Sequence, residues 1–156
     1  MKINLGCGGD IKEGWENIDQ YFQADKSVKK MDARNLDYEN DSAEEIYAAH
    51  LLEHIPYEQT LITLREWYRV LAPEGKITVI VPDLDMNCKN WLGKGPEKYL
   101  KDILKAFYGS QSREGQFHHA GFNFETLRDV MSEAGFKNIK ETTRDHPNHL
   151  WVVATK

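Results

Sequence analysis

His50, Glu53 and His54 stand in an H-x-x-E-H pattern. Two imidazoles four residues apart share one face of a helix, where they can hold zinc beside a glutamate that activates water. The other four histidines also come in pairs, His118/His119 and His146/His149. Imidazole titrates near neutral pH, so each pair offers a proton acceptor. A second chemical cluster lies at the start of the chain. Gly6, Gly8 and Gly9 follow the apolar "KINL", and the carboxylates Asp19 and Asp32 come after them. Glycines let a ligand approach the backbone closely, and a carboxylate beyond the next strand can accept hydrogen bonds from ribose hydroxyls. Asp32 is spaced to reach an adenine amino group. The dinucleotide fingerprint begun at Gly6 is met at Gly8 but fails at Ile11, and no G-x-x-x-x-G-K-[ST] loop is present. "DIKEG" leaves room for only about one helical turn, too little for a pyrophosphate-binding helix. These features suit an adenosine without a pyrophosphate.

The elements that must position these residues alternate. Strands are expected at 2–5, 15–19, 27–32, 76–83, about 137–143 and 149–155, with "EIYAAH" (45–50) open between strand and helix. The 76–83 strand is β-branched and apolar enough to be buried on both faces. Helices are expected at 57–71, 96–108 and 124–134. The first buries Leu61, Leu64, Trp67, Tyr68 and Leu71, and the second carries Tyr99, Leu100, Ile103, Leu104 and Phe107. The third is capped by Asn123 and stopped by Gly135. This alternation is an α/β fold with a mostly parallel sheet. "DHPN" is too short for a crossover, so the last two strands form an antiparallel hairpin.

Composition narrows the function classes. A net charge of −5 argues against a nucleic-acid binder, and 40% hydrophobic with 29% charged residues fits one globular domain. Cys7 and Cys88 are too few for a disulfide framework and too isolated for a zinc knuckle. "MKINLGCGG" is neither a secretory signal nor a membrane span. A cytoplasmic location is expected.

The stretches "INLGCGGDIKEGWENID", "IYAAHLLEHIP", "LREWYRVLAPEGKITVIVPDLD" and "FNFETLRDVMSEAGF" occur in an order that resembles the class I S-adenosylmethionine-dependent methyltransferases, in particular the small bacterial group related to methyltransferase type 11. The resemblance implies a Rossmann-like, seven-stranded, mostly parallel sheet with a C-terminal antiparallel hairpin and helices on both faces. It implies one domain over 1–156, without the helices that usually precede the first strand and cover the cofactor. The cofactor would be S-adenosyl-L-methionine. Leu5, Gly6, Cys7 and Gly8 would form the loop under its methionine part, with Cys7 a small packed residue rather than a nucleophile. Asp19 would hold the ribose, Asp32 and Ala33 would flank the adenine, and His50 would wall the reacting sulfonium.

The catalytic candidates are His118 or His119 first and His50 second. The acceptor is expected to be a small molecule bearing a sugar, nucleotide-sugar or lipid hydroxyl, and the absence of the D/N-P-P-Y/F motif of many amino-group enzymes counts against a nucleobase amine. The competing readings are a non-catalytic S-adenosylmethionine-binding module acting with a partner and, more remotely, a zinc hydrolase. Either the segment 86–121, a second copy or a partner chain would cover the cofactor, or the site would be unusually open. In this frame "EIYAAH" is the fourth strand, and Pro56 opposes a helix through 50–54. His50 and His54 then share no helical face, and no metal is expected.

Overall fold

The computed structural model describes the backbone of residues 1–23, 25–94, 96–142 and 146–156, and their side chains apart from 94, 96–100 and 103. Seven strands form one sheet: β1 (Lys2–Leu5), β2 (Glu16–Ile18), β3 (Val28–Lys29), β4 (Ala43–Ala49), β5 (Leu71–Pro82), β6 (Lys137–Glu141) and β7 (His149–Thr155). Their order is β3-β2-β1-β4-β5-β7-β6. Pairing is parallel from β3 to β5, while β7 runs antiparallel to both β5 and β6. The expected hairpin is therefore present. Thr143, inside the expected 137–143 strand, lies outside the described residues.

Alternation along the strands decides what each face does. Ile3 and Leu5, Ile46 and Ala48, Ile77, Val79 and Val81, and Leu150, Val152 and Ala154 enter the core. The helices α1 (Thr60–Val70) and α4 (Phe124–Ala134) pack together with it, burying Leu64, Trp67, Leu127 and Met131. Thr78 and Ile80, on the other face of β5, are also buried, so this strand is covered on both sides. Asn123 caps α4 through a reciprocal pair of hydrogen bonds with Thr126, and Gly135 ends the helix in the left-handed region. Residues 57–59 form a short 3-10 turn before α1 rather than its first turn.

A further helix, α2 (Leu84–Lys94), precedes α3 (Pro96–Tyr108). Its apolar spacing is weak, but Asp83 accepts from the backbone N–H of Met86 at 3.0 Å, the signature of an N-cap. Of the stripe expected on α3, Leu104 is exposed and Phe107 is half-buried. Tyr99, Leu100 and Ile103 lie outside the described side chains, as does Lys98 of the lysines on that helix.

Among the described residues no helix occurs between β1 and β4, not even the single turn expected from "DIKEG". Side chains therefore satisfy the loop backbone. Asn4 and Asn17 are neighbours on paired strands, and both are buried. Asn4 Nδ2 donates to Asp10 O (2.7 Å) and to Asn17 Oδ1 (2.9 Å). Asn17 Oδ1 also accepts from Lys12 N, and Asn17 Nδ2 donates to the carbonyls of Lys12 and Trp15. The loop is fastened to the sheet as a helix would otherwise be. Asn17→Ala strips this loop of its partners and is expected to lower stability by about 1–3 kcal/mol in urea unfolding. An unchanged unfolding midpoint would show that the pair does not hold the loop.

Candidate active site

A cavity of about 360 Å³ opens at the carboxyl ends of β1, β2 and β4, bounded by Gly6, Gly8, Asp19, Asp32, Ala33 and His50. This is where an open α/β sheet offers a ligand site. Gly6 has φ +61°, and a Cβ there would lie 2.7 Å from Leu51 Cδ1. Only glycine lets the loop pass this close to the segment after β4. Asp19 ties the glycine loop to the residues after β2. Its Oδ2 accepts from Gly8 N at 2.9 Å, and its Oδ1 accepts from Tyr21 N and Phe22 N, both at 2.7 Å.

The Ala33 side of the cavity is braced from α1. Trp67 Nε1 donates to Ala33 O at 2.8 Å inside the core. Leu36 N–H donates to Glu66, while Arg69 donates to the carbonyls of Leu36 and Tyr38. Asp32 lies in the wall, but its carboxylate is occupied by Arg34, which donates Nε and Nη2 to it. Those hydrogen bonds hold the Asp32 carboxyl below the usual carboxylate range. Any adenine contact by Asp32 competes with this pair.

The opposite wall is the segment 113–119. A Cβ on Gly115 (φ +79°) would lie 2.5 Å from the Tyr21 ring, so the segment sits directly on the loop after β2. Part of the segment 86–121 thus lines the cavity. Leu5 and Cys7 stand behind the wall rather than in it. Leu5 is fully buried in the core, and Cys7 borders a second, smaller cavity on the other sheet face. Burial, with the negative charge of Asp19 nearby, pushes the Cys7 thiol up to about 11. It is a packed thiol.

His50 is a non-glycine residue at φ +52°, a costly conformation that aims its side chain off the end of β4. It borders both this cavity and an adjoining one of about 290 Å³, which also contains Glu53, His54, His118, His146 and His149. His50 Nδ1 lies 3.3 Å from Oε1 of Glu53, whose side chain is 1% exposed. Leu52–His54 is a 3-10 turn, and Ile55 before Pro56 is extended. No helical face joins His50 to His54, so the peptidase geometry is not formed.

That turn instead captures a distant segment. Glu53 O accepts from His119 N at 2.7 Å and from Ala120 N at 3.2 Å. His54 Nδ1 reaches Phe117 O at 2.9 Å, and His118 Nδ1 reaches Ala106 O at 3.0 Å. The His54 and His118 rings then meet edge to face with centroids 4.7 Å apart. Burial holds the His118 imidazole below its usual range. Of the two histidines expected to face the acceptor, His119 lines the first cavity, whereas His118 turns into the neighbouring ones. The His146 and His149 rings lie tilted with centroids 4.7 Å apart, and His149 meets His50 edge to face at 4.4 Å. The hairpin turn is therefore close to the site.

Known proteins share this fold. The family model for a methyltransferase domain matches residues 5–79. By fold, the chain is similar to S-adenosylmethionine-dependent methyltransferases. The fold agrees with an Archaeoglobus fulgidus S-adenosylmethionine-dependent methyltransferase (TM-score 0.65, 16% identity, 99% of this chain and 85% of that one). It also agrees with a Thermotoga maritima S-adenosylmethionine-dependent methyltransferase (0.67, 22%, 99% and 81%). Human N-acetylserotonin methyltransferase, solved with S-adenosylmethionine, is a third (0.64, 16%, 99% and 47%). No curated protein matches the sequence. Among the described residues, no helix is long and apolar enough to cross a membrane.

The cavity also uses residues that sequence reasoning missed: Tyr21, Phe22, Met31, Arg34 and the 113–117 segment. Nothing in the local pattern marks them, because their roles arise from loops closing over one another. The two thiols offer a direct check on the site's packing. Cys7 is expected to resist alkylation at pH 8 while the exposed Cys88 reacts, giving one modified thiol per folded chain by mass spectrometry. Equal rates at both would contradict the closed glycine loop.

Proposed function

We propose that the chain transfers the methyl group of S-adenosylmethionine to a hydroxyl of a small-molecule acceptor, of the sugar, nucleotide-sugar or lipid class. The observation that carries this reading is His50, which stands where the cofactor-side cavity meets the histidine-lined one, with its ring against the buried Glu53. Methyl transfer from a sulfonium is an in-line displacement, so catalysis is largely positioning and exclusion of water. A hydroxyl acceptor also needs a base. Glu53, drawn to Nδ1 of His50, would hold the proton there and leave Nε2 to take the proton of the acceptor. His119 is the second candidate, from the facing wall.

In this reading Gly6 and Gly8 lie under the methionine part, with Leu5 and Cys7 supporting the loop from behind. Asp19 holds the ribose. An ionised carboxylate offers about four acceptor directions, and three backbone N–H groups already use Asp19. One direction remains on Oδ2, so one ribose hydroxyl would donate a single strong hydrogen bond to it. Ala33 flanks the adenine, and Asp32 contributes through Arg34. The segment 113–119 serves as the cover, in place of a partner chain.

Asp19→Ala removes the ribose acceptor and unpins the glycine loop together. It is expected to weaken S-adenosylhomocysteine binding by about 10- to 100-fold in titration calorimetry. Unchanged affinity would refute the ribose role, and no binding of either S-adenosylmethionine or S-adenosylhomocysteine to the unaltered protein would refute the reading itself.

A further inference from the structure

The turn after β4 and the segment before α4 bring together three groups that methyl transfer does not require as a set. Glu53, His54 and His118 each present a potential ligand atom, and these atoms lie within 4.8 Å of one another. Their chemistry is prepared for a cation. Nδ1 of His54 and Nδ1 of His118 each face a backbone carbonyl, which can only accept, so each Nδ1 carries the proton. The lone pair of both rings is therefore on Nε2. An imidazole fixed in this way by a carbonyl is the usual support of a metal ligand.

Glu53 supplies the second, independent observation. Its side chain is 1% exposed, and its Oε1 faces His50. Its Oε2 is buried and, among the described residues, has no hydrogen-bond partner. A buried carboxylate oxygen left bare costs free energy that a bound cation would recover.

We propose that Glu53, His54 and His118 form a binding site for one divalent transition-metal ion of the zinc class. Two imidazole nitrogens and one carboxylate oxygen match zinc, cobalt or nickel and are too nitrogen-rich for magnesium or calcium. Three protein ligands leave a coordination position open, as in catalytic rather than structural zinc sites. That position faces the cavity shared with His50, where an acceptor oxygen would complete the shell. This last clause rests on the methyl-transfer reading, whereas binding of the ion does not.

The test uses chelator-treated protein. Calorimetric titration with zinc is expected to give one ion per chain, and cobalt(II) is expected to give the visible absorption of a four-coordinate site. His118→Ala and Glu53→Gln should each weaken zinc by about tenfold or more, while His146→Ala, nearby but outside the triad, should leave it unchanged. No saturable zinc binding by the unaltered protein, or equal binding by His118→Ala, would overturn the site. Circular dichroism checks folding; if Glu53→Gln does not fold, His118→Ala decides. S-adenosylhomocysteine is titrated into the same sample. Protein that binds it but not zinc loses the metal site and keeps the methyl-transfer reading, and the opposite result does the reverse.

Discussion

The buried pair Asn4–Asn17 is the constraint on which the cofactor side of the molecule depends. A parallel sheet normally hides the backbone of its crossovers in helices, which satisfy their own hydrogen bonds. Here the described crossovers between β1 and β4 contain none. Two amides placed side by side by the β1–β2 register do that work instead, each serving the loop and the other. Asp19 extends the scheme to the glycine loop, and Trp67, Glu66 and Arg69 extend it to the residues beyond β3. Such networks are strong only when every member is satisfied, so the site is held by a few polar side chains rather than by bulk packing.

The acceptor side follows a different principle. His50 takes a left-handed conformation at the end of β4, and the 3-10 turn that follows presents the carbonyl of Glu53 outward. Two N–H groups from 119 and 120 close on that carbonyl. The bonds are backbone to backbone, but their consequence is chemical. They carry His118 against His54 and place His119 in the facing wall of the cofactor cavity. Segments more than sixty residues apart become one site through a single carbonyl.

This division explains what could be read in the chain. The sheet was legible because apolar alternation, the "APEG" stop after α1 and the short "DHPN" turn are local signals whose physics does not depend on partners. The placement of Gly6, Asp19 and Asp32 around one cavity followed from strand ends, which the same signals locate, while Ala33 and His50 were expected there from the family resemblance. The approach of Gly115 to Tyr21 was not legible, since it needs two loops to meet in space. The H-x-x-E-H pattern misled in one respect and informed in another. Its histidines share no helix, yet Glu53 and His54 do converge with a third ligand-type residue, His118, which no five-residue window contains.

The account turns on where the cofactor lies: ribose on Asp19, sulfur toward His50, with the acceptor entering from the histidine-lined cavity. A crystal structure with S-adenosylhomocysteine bound tests this most directly. The expected result is one ribose hydroxyl on Asp19 Oδ2, the adenine beside Ala33 and the sulfur facing His50. A ligand bound elsewhere on the sheet edge, or one whose sulfur points away from His50, would contradict it.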